Sequence, residues 1–113
     1  MDRGGSVFFN IKTQLLTLGD LLTRYRDEVV VHKRSVAYET IMINAFMRHD
    51  IISLKLSEVK PYHFSNYRDE RLKAVSGVTV SRELTIYQHA FTIAVQEWGC
   101  GDLSNPLSFI KKP

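Results

Sequence analysis

The sequence is poor in the residues that build disulfide frameworks and metal clusters. Its single cysteine, Cys100, cannot form an internal disulfide, and its histidines are scattered at His32, His49, His63 and His89. None of these histidines has a second histidine, cysteine or acid at zinc-ligand spacing on one helix face. We therefore expect a fold without metal or cofactor in a reducing compartment, for which the cytoplasm fits best.

Long apolar runs and catalytic signatures are also missing. No apolar stretch approaches the roughly 18 residues needed to cross a bilayer, and the first residues lack a signal-peptide pattern. The sequence contains no G-x-S-x-G, no Walker loop and no G-x-G-x-x-G. We expect neither membrane association nor an active site in this chain.

The chain has the composition of one globular domain with a small excess of positive charge. It has 113 residues, of which 44% are hydrophobic and 24% charged. This length allows one buried core but not two domains of ordinary size. The net charge of +3 is compatible with an anionic partner, but many proteins that bind no nucleic acid have a similar surplus.

Hydrophobic periodicity predicts the first two helices. Thr17 and Asp20 have capping-box spacing, so helix one is expected to begin there and to run over about residues 18–30. Ser35 can cap helix two, which is expected to end near Arg48. The expected core face of helix two consists of Tyr38, Ile41, Met42, Ala45 and Phe46.

Proline and threonine mark the starts of two more helices. Pro61 suits the first position of helix three, and the preceding residues 50–58 are expected to form a loop. Thr79 is the expected cap of helix four, which Gly99 and Gly101 should end in left-handed conformations. The apolar seam of helix four is Val80, Leu84, Tyr87, Phe91, Ala94 and Trp98. The sum is an all-α domain of four helices, or five.

Two polar helix faces could meet DNA. The face of helix four opposite its seam presents Ser81, Arg82, Thr85, Gln88 and His89, and its free backbone N–H groups favour a phosphate near Thr79. Helix two has Lys33 and Arg34 at its start and Thr40 and Asn44 along one side. The alternative is that both faces are merely solvated, as most polar helix faces are.

The order of several short motifs resembles a known family. In chain order they are T-L-G-D-L-L at 17–22, L-S-E-V-K-P at 56–61, T-V-S-R-E-L at 79–84, E-W-G at 97–99 and N-P-L at 105–107. Together they resemble the N-terminal core-binding domain of tyrosine recombinases, the phage-integrase family. The resemblance covers nearly all of residues 18–113.

The resemblance implies a SAM-like orthogonal bundle that clamps double-stranded DNA at a recombination core site, together with other integrase protomers. Catalysis would belong to a separate domain of a parent tyrosine site-specific recombinase, so no tyrosine here is expected to be a nucleophile. The implied divisions are an N-terminal extension or linker at 1–16, the core-binding domain at 17–105 and the start of the interdomain linker at 106–113. Implied DNA contacts come from Thr79, Ser81, Arg82, Lys33, Arg34, Lys111 and Lys112. Ser81 stands where asparagine is common.

Two other functions fit the same composition. A helical protein-interaction module could use the same bundle, its basic residues being incidental, and an exposed apolar patch would favour it. A stand-alone DNA-binding regulator is the second, and a gene ending at Pro113 would favour it over an integrase.

Overall fold

A computed structural model describes residues 15–113, and within that range the fold is all-α. The α-helices are α1 (Leu18–Glu28), α2 (Val36–Phe46), α3 (Pro61–Arg71) and α4 (Gly77–Glu97). Short 3-10 helices lie at Val30–His32, Asp50–Ser53, Leu56–Glu58 and Pro106–Phe109. The described part of the chain contains no β-strand, only one isolated bridge between Thr17 and Lys55. The predicted fold class is confirmed.

The starts of α1 and α3 follow the sequence signals. The Thr17 hydroxyl accepts the Asp20 amide at 3.1 Å, and the Asp20 carboxylate accepts the Thr17 amide at 3.0 Å. This reciprocal pair satisfies two amides that a helix start would otherwise leave open. Pro61 occupies the first turn of α3, where its missing N–H costs nothing. Both predicted starts are confirmed.

The start of α4 differs from the prediction. Ser76, not Thr79, is the N-cap: its backbone is extended and its hydroxyl accepts the Thr79 amide at 3.3 Å. Gly77 and Val78 are already helical, because glycine is tolerated in a first turn whose amides lack intrahelical partners anyway. At the other end Gly99 has a φ of 77°, as predicted, whereas Gly101 does not have a positive φ, so that expectation was wrong.

The predicted core face of α2 was wrong in part: Phe46 is buried and Met42 packs against the core, as predicted, but the two predicted residues nearest the start of the helix do not. Ile43 and Phe46 are buried, with Glu39 beside them, while Tyr38 is exposed and Ile41 is 61% exposed. The helix is apolar on nearly every side, so periodicity does not select one face. Its rotation is determined by tertiary contacts, including the hydrogen bonds that Glu39 makes inside the protein.

The core is an aromatic cluster on the predicted seam of α4. Val80, Leu84, Tyr87, Phe91 and Ala94 are all at most 1% exposed, which confirms that seam. The ring of Phe46 lies 4.3 Å from Tyr87 and 6.1 Å from Phe64, centroid to centroid. Trp98, the last seam position, is half-buried, with the Arg24 guanidinium 4.2 Å from its ring centroid.

The residues after α4 return to the bundle. Pro106 and Leu107 are buried, and the Asn105 side-chain amide donates to the Gln88 carbonyl at 3.2 Å. Farther on, the Arg68 guanidinium donates to the Lys111 carbonyl at 3.0 Å. The C-terminal residues are thereby brought next to the start of α4.

Candidate nucleic-acid interface

The starts of α2 and α4 lie side by side and form the walls of an open groove of about 680 Å³. Residues from the first turns of both helices and from the C-terminus line it: Ser35, Tyr38, Glu39, Val78, Ser81, Arg82, Thr85, Ile86 and Pro113. The N-terminal ends of α2 and α4, which the sequence predicted to carry two polar faces, therefore share one surface.

Basic residues from three parts of the chain line this groove or adjoin residues that line it. Arg82 lines it, Arg34 precedes the lining residue Ser35, and Lys112 precedes Pro113. All three side chains belong to exposed residues. Within residues 15–113 none of them forms an ion pair or a side-chain hydrogen bond with another residue. Lys111, next to Lys112, is also exposed, and we call Arg34, Arg82, Lys111 and Lys112 the basic rim.

Helix geometry adds positive potential at the same place. The first amides of a helix lack intrahelical partners, and the aligned peptide dipoles place a partial positive charge at that end. Here two helix starts flank one groove, and exposed guanidinium groups stand beside them. Such an arrangement suits an anion with several oxygens, such as a phosphodiester.

Lys33, in contrast, is directed into the protein. Its ammonium lies 2.9 Å from the buried Glu39 carboxylate, which also accepts the Ser35 hydroxyl at 2.5 Å. Lys33 further donates to the Tyr25 hydroxyl at 3.4 Å, and that hydroxyl lies 2.6 Å from His89 Nδ1. Lys33 and His89, both predicted DNA contacts, are therefore parts of an internal polar network.

Titration shifts agree with this network. Burial by itself would lower the pKa of Lys33, but the hydrogen bond to Glu39 and the contact with Tyr25 outweigh it and raise that pKa above 10.5. Burial raises the pKa of Tyr25 above 10.0, although Lys33 opposes the shift. The charged lysine is held by its internal partners.

The remaining predicted contacts are dispersed. The Asn44 side-chain oxygen, at the far end of α2, accepts the Arg26 guanidinium at 2.9 Å, and Thr40 is only half-exposed. The Gln88 carbonyl accepts Thr92 and Asn105, which ties this part of α4 to the C-terminal segment. Thr79 bonds with Ser76 within the cap. None of these residues lines the groove.

The hydroxyls at the groove already donate to backbone carbonyls. Ser81 Oγ donates to the Pro113 carbonyl at 3.0 Å, and Thr85 Oγ1 donates to the Ser81 carbonyl at 2.9 Å. Each oxygen retains lone pairs, but its hydrogen is engaged. The Arg82 guanidinium, in contrast, lines the groove and makes no hydrogen bond with another described residue.

A buried charged cluster between α3 and α4 was not predicted from the sequence. Glu83 is 1% exposed, and Arg71 forms a fork on it with contacts of 3.0 and 2.6 Å. The Tyr67 hydroxyl donates to the same carboxylate at 2.7 Å. The bond to Glu83 raises the pKa of Arg71, and burial raises that of Tyr67. The only signal for this cluster in the sequence was the position of Glu83, at the edge of the polar face of helix four.

The part of the chain that the structure describes holds neither a metal-ligand cluster nor a membrane-spanning helix. From 15 to 113 no group of three or more histidine, cysteine, aspartate or glutamate side chains could hold a metal ion. No helix of the described range is long and apolar enough to cross a membrane.

Comparison with known proteins connects the chain to recombination. Two Haemophilus influenzae proteins named integrase/recombinase are 32% and 35% identical over 80 and 98 residues, which are 71% and 87% of this chain. An Escherichia coli shufflon-specific DNA recombinase is 31% identical over 106 residues, 87% of this chain. The chain is related in sequence to integrases and recombinases.

The similarity to these recombinases is restricted to one part of each relative. The chain spans about a quarter of their length, 26%, 26% and 27% respectively. No protein-family model matches the sequence. No solved structure matches it either.

Proposed function

We propose that this chain is the core-binding domain of a tyrosine recombinase of the phage-integrase type and that the basic rim grips the DNA backbone. The domain would hold one face of the recombination core site and supply affinity and position, while a catalytic domain in the parent protein would cut and join the strands. Residues 17–105 would form the binding domain and 106–113 the start of the interdomain linker.

The observation that supports this proposal most strongly is the convergence of the basic rim. Residues 34, 82 and 111–112 are far apart in sequence, yet Arg82 lines one groove between two helix starts and the others lie within two residues of a lining residue. Two other basic side chains, those of Lys33 and Arg71, pair with buried carboxylates, which neutralise their charge. The cations of the rim have no such partner in the described residues, so their charge is available to phosphates.

The test is an NMR titration of the labelled domain with a short DNA duplex, combined with affinity measurements on two variants. Arg82→Ala should reduce affinity about tenfold, since a charge-assisted hydrogen bond contributes about 1.5 kcal/mol. Lys60→Ala is the matched control. It removes an equal charge at the opposite end of α3, about 16 Å from Arg71, and should change affinity less than about twofold.

Salt dependence provides an independent measure of the same contacts. If the four side chains of the basic rim each neutralise one phosphate, the log–log slope of affinity against salt should be about −3.6. Arg82→Ala should reduce its magnitude by about 0.9. Native circular dichroism with unchanged affinity and slope in Arg82→Ala would contradict the proposal.

One observation favours a second function, a protein-interaction surface. Val78 is 67% exposed and Ile41 61% exposed, and Tyr38 is exposed at the groove. Apolar side chains in such positions are common at protein interfaces. Sedimentation at millimolar concentration distinguishes the two functions: self-association that persists in high salt would favour the interaction module, and a monomer that binds DNA only at low salt would favour the clamp.

A further inference from the structure

We propose that Arg71 is a positioning residue for DNA binding: its fork on Glu83 determines how the first turns of α4 present Arg82. This inference rests on the proposed function, because it assumes that Arg82 contacts DNA. It assigns a task to a residue of α3 that the sequence did not single out.

Arg71 is connected to Arg82 through Glu83, the neighbour of Arg82 in sequence and the partner of Arg71 in the ion pair. Glu83 directly follows Arg82 on α4, and its carboxylate is buried while the Arg82 side chain is exposed. Both oxygens of the carboxylate are engaged, Oε1 by Arg71 Nε and Tyr67, and Oε2 by Arg71 Nη2. The residue that follows Arg82 is therefore held by two side chains of α3, those of Tyr67 and Arg71.

The fork supplies a directional constraint that the apolar seam cannot. Val80, Leu84 and Tyr87 anchor α4 to the core, but hydrophobic contact is non-directional and tolerates small rotations about the helix axis. A planar guanidinium that binds a carboxylate through two parallel bonds specifies both distance and angle. A small rotation of α4 would break one of these bonds and would also redirect Arg82 away from the groove.

Other ion pairs in the structure lack this property. Lys73 and Glu70 are 3.4 Å apart with both side chains 74% exposed, and Arg24 pairs with exposed Glu28 within α1. Exposed pairs of this kind contribute little and connect no second helix. The Arg71–Glu83 pair joins α3 to α4 at the first turns that carry the rim.

The experiment is a double-mutant cycle on DNA affinity with Arg71→Lys and Arg82→Ala. Lysine keeps the charge but cannot form the fork, so loss of charge does not enter the result. We expect Arg71→Lys to weaken duplex binding about fivefold in the wild-type background and less than about twofold when Arg82 is already alanine. Arg24→Lys is the matched control, and its effect should stay below about twofold in both backgrounds.

A purely structural role predicts a different pattern. If Arg71 only stabilises the fold, Arg71→Lys will lower the melting temperature but leave the affinity of the folded fraction unchanged. Glu83→Gln provides a second variant should Arg71→Lys fail to fold, because its amide keeps the shape and one acceptor. In the DNA-free domain, the Arg82 amide resonance should also shift in either variant while resonances in α1 remain in place.

The possible failures are distinguishable. If Arg82→Ala has no effect on DNA affinity, the proposed function is wrong and the inference is overturned with it. If Arg82→Ala weakens binding but Arg71→Lys does not, only the inference is overturned. If Arg71→Lys weakens binding equally with and without Arg82, Arg71 acts independently and its positioning role is overturned.

Discussion

Removing the Arg71 guanidinium should be among the most destabilising single changes in this domain. Arg71→Met would leave the Glu83 carboxylate, only 1% exposed, with the Tyr67 hydroxyl as its remaining partner of the present cluster. Breaking one side of a buried ion pair costs about 3–5 kcal/mol. Because the Arg71 side chain is itself 29% exposed, we expect the lower end of that range, about 3 kcal/mol.

Urea denaturation followed by circular dichroism at pH 7 measures this loss. For a domain of this size, 3 kcal/mol corresponds to a melting temperature lower by about 12 °C. Lys73→Met, two residues farther along, removes the same charge from a pair that is 74% exposed on both sides. It should change the free energy of unfolding by less than about 0.5 kcal/mol.

A double variant tests the cause of the loss. In Arg71→Met/Glu83→Leu the charge that burial penalises is gone, so about half of the lost stability should return, the remainder reflecting the Tyr67 hydroxyl without its acceptor. If Arg71→Met costs no more than Lys73→Met, Glu83 is not held as the structure shows. If the double variant is as unstable as the single one, the stranded charge is not the cause.

Two further predictions concern the internal polar groups. Lys33→Met should destabilise the domain by about 2 kcal/mol, because it leaves the buried Glu39 carboxylate without its cation. The DNA affinity of the folded protein should stay within about twofold. A large loss of affinity in a stable variant would instead place Lys33 on the DNA-binding surface. Burial raises the pKa of Tyr67 and of Tyr87, so the folded state binds more protons than the unfolded state above pH 10. The contribution of these two tyrosines to the free energy of unfolding should be fully present below pH 10 and should fall above it by up to about 1.4 kcal/mol per pH unit for each tyrosine. Urea midpoints that stay constant from pH 9 to 11 would contradict this.

Local signals predicted most helix boundaries correctly. The capping pair of Thr17 and Asp20, the proline at 61 and the left-handed Gly99 each act through their own backbone or a neighbour three residues away. The long helix α4 was predictable because its seam is strictly periodic. The errors occurred where a local signal had a close competitor, as with Ser76 and Thr79, or where periodicity was weak, as in α2.

The sequence by itself determined the all-α class, the order of the helices and the supply of basic residues at the starts of α2 and α4. Only the tertiary structure decided which of these basic side chains pair with a buried carboxylate and which are exposed. Lys33 and Arg34 are neighbours in sequence, yet one pairs with buried Glu39 and the other is exposed. Burial of a charge requires a partner. The folded start of α2 places Glu39 against Lys33, and the packing of α4 on α3 places Glu83 against Arg71.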